Sequence, residues 1–339
     1  MKSYTLWNNK GGVGKSLLTF ILATEYARMH PAESVLVIDM CPQSDISQLL
    51  LGGTKGEGKN YEKVDEKKIT IGHYFNERLS HSPFALLGTE SDYFIHVASY
   101  NIGMPKNIYL MCGHNSLEIL APALEATAEI KGIDGQSKHR QILGIIKDLK
   151  IPFSNKYKGA SCLFIDTNPS FSIYTKMALL AGDQLIIPCL ADYGSSLALK
   201  NVFHLLYGIN QNNSEIHSKY TLKEQAMMYD LSVPIIAHVI FGRSTRYDKG
   251  SAQAFKNIER GMREYLQMMK KEYNGSIFLP VNSLEYDLPD MNSLVPVITY
   301  DPQVISLMKN RVQTAEGKII QVNNLKQYKE YINRLVELL

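Results

Sequence analysis

The sequence predicts an α/β protein whose doubly wound, mostly parallel sheet carries helices on both faces. Three observations point to this class. Short apolar runs rich in Val, Ile and Leu alternate with segments of helical spacing along the chain, the order that builds parallel strands with crossover helices. A glycine- and lysine-rich loop, Lys10-Gly11-Gly12-Val13-Gly14-Lys15-Ser16, joins the first apolar run to the first helical segment. Two later runs carry an aspartate at their ends, Asp39 and Asp166, and ligands of open α/β sheets sit at the carboxyl ends of strands.

Taken in order, residues 3–8 read as a short buried strand. Segment 16–29 spaces Leu17, Phe20, Ile21, Ala23, Tyr26 and Ala27 as a helix does, and Pro31 stops it. Residues 34–40 are a β-branched run of the kind buried in parallel sheets. Stretch 52–68, rich in Gly, Lys and Glu, is expected to be a solvated loop. Strands are expected at 94–99 and 108–112, then helices at 117–130 and 141–149 around a loop at 131–138. A buried strand at 161–166 is followed by a helix starting at 172, a strand at 184–188 and a helix at 195–207. The polar stretch 210–224 comes next. A strand at 234–241, a helix at 252–272, a strand at 277–280 and an amphipathic helix at 325–339 close the chain. With no internal repeat or linker, one domain over 1–339 is expected, with surface insertions near 52–68 and 210–224.

Composition narrows the class. Hydrophobic residues make up 45% and charged residues 20%, which suits an ordinary globular protein. A net charge of +3 is too small to argue for nucleic acid by itself. The first strand begins almost at Met1, so no signal peptide is expected, and no apolar run approaches the roughly 20 residues of a membrane span. Cys41, Cys112, Cys162 and Cys189 are far apart and form no CxxC. They read as reduced thiols of a cytoplasmic protein. The nine histidines show no metal-ligand spacing.

The loop at 10–16 names a ligand. Gly11, Gly12 and Gly14 let the backbone turn its N–H groups toward phosphate oxygens. Lys15 is placed to reach the β and γ phosphates, and the Ser16 hydroxyl to ligate Mg²⁺. The helix that begins beside Gly14 adds the positive end of its dipole. The nucleotide-binding set is therefore Lys10, Gly11, Gly12, Val13, Gly14, Lys15, Ser16 and Leu17. Asp39 and Asp166 both end strands and would project toward this loop. A cation shared with a triphosphate needs one or two carboxylates, so the metal set is Ser16, Asp39 and Asp166.

Asn9 stands where the standard pattern has its first glycine, and Lys10 follows it. This Lys-Gly-Gly-x-Gly-Lys-[Ser/Thr] variant resembles the ParA/MinD family of P-loop ATPases. The resemblance extends to Asp39-Met40-Cys41-Pro42-Gln43, where the family has Asp-x-Asp-Pro-Gln. It extends to Asp166-Thr167-Asn168-Pro169-Ser170 and to Ile277-Phe278-Leu279-Pro280-Val281, and so covers most of the chain. It implies ATP and Mg²⁺ as ligands, and an ATP-dependent homodimer in which Lys10 contacts the partner's nucleotide. Lys10, Lys15 and Asp39 are then the catalytic candidates. It also places adenine contacts near 278–282.

Two departures matter. Cys41 replaces an aspartate that in the family helps to position the attacking water, and a thiol with a free pKa of about 8.5 is a poor substitute. ATP binding with slow hydrolysis is the expectation, testable by Cys41→Asp, because phosphoryl transfer depends on positioning and electrostatics. Asp45, two residues past Gln43, is a candidate substitute for that acid, and its direction is not legible in the sequence. Leu17 stands where many relatives have Thr, with little consequence because the backbone N–H is what the α-phosphate needs.

The helix at 249–271 places Phe255, Ile258, Met262, Leu266 and Met269 on one face and Lys249, Lys256, Arg260, Arg263, Lys270 and Lys271 on an adjacent one, with Arg243 and Arg246 just before it. A stripe of this kind neutralises phosphates without reading bases, and ParA-like partition proteins bind nonspecific DNA through basic residues in their C-terminal part. Arg243, Arg246, Lys249, Lys256, Arg260, Arg263 and Lys270 are therefore the candidate DNA contacts, against an ordinary solvated face. The closing helix mixes Lys326, Lys329 and Arg334 with Glu330 and Glu337, which favours packing on the domain over membrane binding.

The resemblance thus implies a partition- or positioning-type ATPase switch, with a partner protein that stimulates hydrolysis or supplies cargo. No DNA-reading domain precedes the loop, so sequence-specific repression is not expected. A nucleotide-sensing module with little hydrolysis, acting on a protein or membrane partner, is the alternative that Cys41 favours. A metabolic or metal-delivery enzyme would call for a cysteine pair or substrate motifs, and none is evident.

Overall fold

Segments Ser34–Met40 and Ser161–Thr167 carry almost no polar side chain before their final aspartates, and they are buried along nearly their whole length. Such strands need cover on both faces. In the computed structural model they sit at the centre of an eight-stranded sheet. The structure describes all residues except 133–136, 210–219, 243–248, 281–283, 290, 292, 314–318 and 323.

The first half of the chain runs β1 (Lys2–Leu6), α1 (Lys15–Met29), β2 (Ser34–Met40), α2 (Asp45–Leu50), α3 (Lys59–Glu66), α4 (Ile71–His81), β3 (Ile95–His96), β4 (Ile108–Met111), α5 (Leu117–Ala128), α6 (His139–Leu143), α7 (Ile145–Asp148) and α8 (Lys150–Lys156). The second half runs β5 (Ser161–Thr167), α9 (Ile173–Ala181), β6 (Gln184–Leu190), α10 (Tyr193–Tyr207), α11 (Leu222–Met228), β7 (Ile235–Gly242), α12 (Lys249–Tyr273), β8 (Glu285–Leu288), α13 (Val295–Tyr300), a hairpin of β9 (Arg311–Gln313) and β10 (Ile319–Gln321), and α14 (Leu325–Val336).

The strand order is β3-β4-β2-β5-β1-β6-β7-β8, parallel except for β3 against β4. From β1 the chain crosses over β5 to reach β2, and from β5 it crosses over β1 to reach β6. The reversal opens a crevice at the carboxyl ends of β1, β2 and β5, the usual ligand position of such sheets. Register makes that crevice definite: Asp39 lies beside Asp166, and Asp166 beside Leu6.

Alternation along the strands sorts two cores. Val35, Val37, Cys162 and Phe164 join the side covered by α1, α13 and α14, while Leu36, Ile38, Leu163 and Ile165 join the side covered by α4, α5, α9, α10 and α12. The apolar stripe on α12 packs as expected, with Met262, Leu266 and Met269 buried. α14 buries Tyr328, Ile332 and Leu335 and is tied to α1 by an Arg28 Nη2–Asn333 Oδ1 bond of 2.9 Å. Among the described residues no helix is long and apolar enough to cross a membrane.

Several expectations need correction. Stretch 52–68 is mostly exposed, but Lys59–Glu66 within it forms a helix, because its Lys and Glu residues are good helix formers. Gly58 opens α3 in the left-handed region (φ 71°), and Val64 anchors it. Of 94–99 only two residues pair, and they do so antiparallel. The helix expected at 141–149 is broken into shorter pieces. Residues 277–280 form no strand; Phe278 makes isolated bridges only, and the edge of the sheet is the charged segment Glu285–Leu288. Of stretch 210–224, residues 210–219 lie outside the described residues and α11 begins at Leu222.

The join between α9 and β6 is close. A Cβ on Gly182 would stand 2.2 Å from Thr5 Oγ1 and 3.0 Å from its Cβ, and that hydroxyl already donates to Ala178 O at 2.9 Å. Gly182→Ala is expected to lower unfolding free energy by about 1–3 kcal/mol through overpacking. Denaturant unfolding checks this, and an unchanged midpoint would contradict the packing described.

Candidate nucleotide-binding site

The loop between β1 and α1 is held from below by amides. Asn8 Nδ2 donates to Pro188 O at 2.7 Å, and Asn8 Oδ1 accepts from the Lys10 N–H at 3.1 Å. Asn9 Nδ2 reaches Pro169 O at 3.0 Å, which ties the loop to the turn after β5. Gly12 (φ 72°) and Gly14 (φ 81°) are left-handed with open space around a built Cβ, so backbone conformation rather than room demands glycine there. Val13 is buried beneath the turn.

Lys15 opens α1, and its side chain is buried back over the loop. Its Nζ donates to Lys10 O at 2.8 Å and to Asn8 O at 3.4 Å. Among the described residues no carboxylate lies within hydrogen-bond distance of it. Burial pulls its pKa down, opposed by the charge of Asp166. A buried ammonium satisfied by two carbonyl oxygens, beside a ring of loop N–H groups, fits an anion.

Ser16 Oγ donates to Asp166 Oδ2 at 2.6 Å, and Thr19 Oγ1 to Asp166 Oδ1 at 3.0 Å. Hydroxyl and carboxylate together are the oxygen donors a hard cation takes. Asp39 does not join them as expected. Its oxygens accept from Cys41 N (2.9 Å), Ser47 N (3.1 Å) and Ser47 Oγ (2.6 Å), so it is turned toward the start of α2. Gly113 permits this, because a Cβ there would stand 2.7 Å from the Asp39 carboxyl. Burial pushes both carboxyls above their ordinary range, and for Asp39 the charge of Asp166 adds to the effect.

Above these groups lies a cavity of about 480 Å³, within the size range of ligand sites. Gly11, Gly12, Gly14, Lys15, Ser16 and the half-buried Leu17 form its floor. Cys41, Gln43, Asp45 and Gln48 line it from the β2–α2 side, Thr167, Asn168 and Pro169 from the end of β5, and Val295 and Thr299 from α13. The α13 and Thr54 contributions had no motif to announce them. Burial pushes the Cys41 thiol up to about 12, so it stays protonated. Of the adenine contacts expected at 278–282, Phe278 is instead a core ring 5.8 Å from Phe203 and residues 279 and 280 do not line the cavity, while 281–283 lie outside the described residues.

Lys10 is held within its own chain. Its Nζ lies 2.6 Å from both oxygens of Asp192 and 3.2 Å from Ser195 Oγ. Asp192 also caps α10 by accepting from Ser195 N at 2.8 Å. Burial opposes the Asp192 charge, but these hydrogen bonds and the Lys10 ammonium hold its carboxyl below the ordinary range. Neither the cap at Asp192 nor its pairing with Lys10 was expected from the sequence, although Asp-x-x-Ser at 192–195 is a capping pattern.

The basic stripe divides. Lys256, Arg260 and Lys271 are exposed and Lys270 half-buried; Arg260 makes a long 3.8 Å ion pair with Glu264. Arg263 does not belong with them. It contacts Glu259 and Glu285 at 2.7 Å, pairs also with Asp287, and stacks 4.3 Å above the Phe241 ring. The acids of β8, unrecognised as a strand, neutralise it. Arg243 and Arg246 lie outside the described residues, and of Lys249 only its backbone place in α12 is described.

Residues 1–222 match a family model described as an AAA domain. Comparison with curated proteins gives no match. Among solved structures, the chain is similar to Cyanothece McdA in a complex with ATP, with 15% identity, TM-score 0.60 and coverage of 100% of this chain and 96% of that one. It is similar to a plasmid partition protein of Borrelia burgdorferi bound to AMPPNP, with 20% identity, TM-score 0.51 and coverage of 100% and 99%. It is also similar to the septum site-determining protein MinD of Pyrococcus horikoshii complexed with Mg-ADP, with 14% identity, TM-score 0.50 and coverage of 99% and 94%. At these identities the likeness is one of fold.

The Asp39–Asp166 pair has a consequence for stability. Folded pKa values above the unfolded value mean that the native state holds more protons than the unfolded chain above about pH 4, so stability falls as pH rises through that window. Asp166→Asn removes one charge, and the hydroxyls of Ser16 and Thr19 can turn to suit an amide. It is expected to flatten the loss of stability between about pH 5 and pH 8, read by denaturant unfolding without Mg²⁺ or nucleotide. An equal slope in the two proteins would refute it.

Proposed function

The chain belongs to the AAA-domain family that its first 222 residues match and has the fold of ParA/MinD-type P-loop ATPases, and on that premise we propose that it is an ATP-dependent positioning switch. One observation carries the reading. Lys15 is a buried cation with two carbonyl partners, set over a left-handed glycine loop and beside a Ser16–Asp166 pair.

On this reading the loop N–H groups and Lys15 bind the phosphates of ATP. Ser16 holds Mg²⁺ directly, with Asp166 behind it. Mg²⁺ supplies charge neutralisation on the β and γ phosphates. Asp39 keeps the β2–α2 loop in place through Ser47 and Cys41. All 339 residues act as one unit that dimerises around ATP. Lys10 leaves Asp192 to meet the partner's nucleotide, a modest loss because part-exposed ion pairs contribute only about 0–1 kcal/mol. In the dimer the α12 stripe of Lys256, Arg260, Lys270 and Lys271, with Arg243, Arg246 and Lys249, binds DNA without reading sequence. A partner protein stimulates hydrolysis or supplies cargo.

A second reading, a nucleotide-sensing module with little hydrolysis, is favoured by the protonated Cys41 thiol in the cavity wall.

Lys15→Ala is expected to weaken ATP binding by about tenfold to a hundredfold, the worth of a charge-assisted contact, measured by calorimetry. Unchanged affinity would remove the nucleotide reading. Duplex DNA binding is expected only with Mg-ATP, and to weaken steeply between about 50 and 200 mM salt. Arg260→Ala should reduce the slope of log affinity against log salt by about 1. Arg263→Ala should instead lower stability, because it strands three carboxylates. Salt-insensitive binding, or none in either nucleotide state, would exclude DNA as the partner.

A further inference from the structure

Asp45 is the one carboxylate among the described residues that lines the nucleotide cavity. Asp39 and Asp166 are fully buried, their oxygens taken up by Cys41, Ser47, Ser16 and Thr19, and neither reaches the cavity wall. Asp45 is exposed at the start of α2, where the backbone turns through Ser44 (φ 56°). It shares the wall with Gln43 and Gln48, across a cavity that Lys15 and Ser16 also line. Cys41, four residues earlier on that wall, offers a protonated thiol and no negative charge.

We propose that Asp45 orients the attacking water for ATP hydrolysis, replacing the acid absent at Cys41; this rests on the nucleotide reading above. A carboxylate is the acceptor such a water needs, and the amides of Gln43 and Gln48 are neutral donors or acceptors beside it. Asp45 accepts a hydrogen bond from the water. The water oxygen bonds to the γ-phosphorus as the bond from that phosphorus to the β,γ-bridging oxygen breaks, with the electron pair leaving on ADP. The water proton passes through Asp45 to the inorganic phosphate. The other ionisable groups on the wall are Lys15 and Cys41; Thr54, Val295 and Thr299 opposite are uncharged, and the neighbouring Lys55 is paired with Asp301 at 2.8 Å. Partial burial pushes the Asp45 carboxyl above its ordinary range, which brings its proton affinity closer to working pH.

The test uses the full chain, Asp45→Asn, Asp45→Glu and the double variant Asp45→Asn with Cys41→Asp. Affinity is measured for Mg-AMPPNP and for Mg-ADP with aluminium fluoride, and kcat is followed against pH. For Asp45→Asn, AMPPNP affinity is expected to stay within about twofold while kcat falls about a hundredfold. Affinity for the aluminium fluoride complex should weaken about tenfold or more, and the acid limb of the kcat profile should disappear. Asp45→Glu should keep that limb, and the Cys41→Asp addition should recover turnover. Unchanged kcat and unchanged aluminium fluoride affinity in Asp45→Asn would overturn the proposal, as would a wild-type chain that binds AMPPNP without turnover. A wild-type chain that binds no AMPPNP overturns the nucleotide reading itself, so the two failures are distinguishable.

Discussion

A buried ammonium is the constraint on which the site depends. Lys15 is enclosed at the amino end of α1 and receives only carbonyl oxygens from its own loop. An unpaired charge in that position is tolerable only if the surroundings are arranged around it. The glycine conformations, the amide props from Asn8 and Asn9, and the two aspartates at neighbouring strand ends all serve that arrangement. The aspartates keep a raised proton affinity even so, although the Lys15 charge favours the ionised form of Asp166. Burial disfavours both negative charges, and strand register keeps them side by side. On the proposed reading, a divalent cation and a triphosphate together complete the charge balance that the protein alone leaves open.

The two lysines of the loop have opposite fates. Lys15 is locked inward by burial, whereas Lys10 is part-exposed and held by Asp192 at the cap of α10. One lysine is thus built into the site and the other is parked beside it by a contact that solvent weakens. On the proposed reading, exchanging an internal ion pair for an external phosphate needs that asymmetry.

Much of this was legible before any coordinates. The loop motif, the central strands with their terminal aspartates and the apolar stripe of α12 follow from local pattern, because a P-loop, a buried strand and an amphipathic helix each declare themselves within a few residues. Misreadings gathered where local composition and tertiary role part company. Stretch 52–68 looked like solvent-facing coil because Val64 is the one fully buried side chain of its helix. Glu285–Leu288 did not look like a strand because it lies at the sheet edge and turns its acids toward Arg263. That arginine looked like part of a DNA-facing stripe for the same reason.

What the sequence by itself determined was the loop motif and the frame that presents it: glycines at left-handed positions, a lysine and a hydroxyl at the start of a helix, and acids at two strand ends. What only the tertiary structure decided was the direction of each charge. Asp39 turns to Ser47 and away from Ser16, Asp45 lines the cavity, Lys10 meets an aspartate 182 residues away, and Arg263 is spent on the sheet edge. Backbone conformation is set largely by neighbours in the chain. A charged side chain settles where distant elements bring it an oppositely charged partner, a hydrogen bond or water, and no local pattern records which of these the fold will supply.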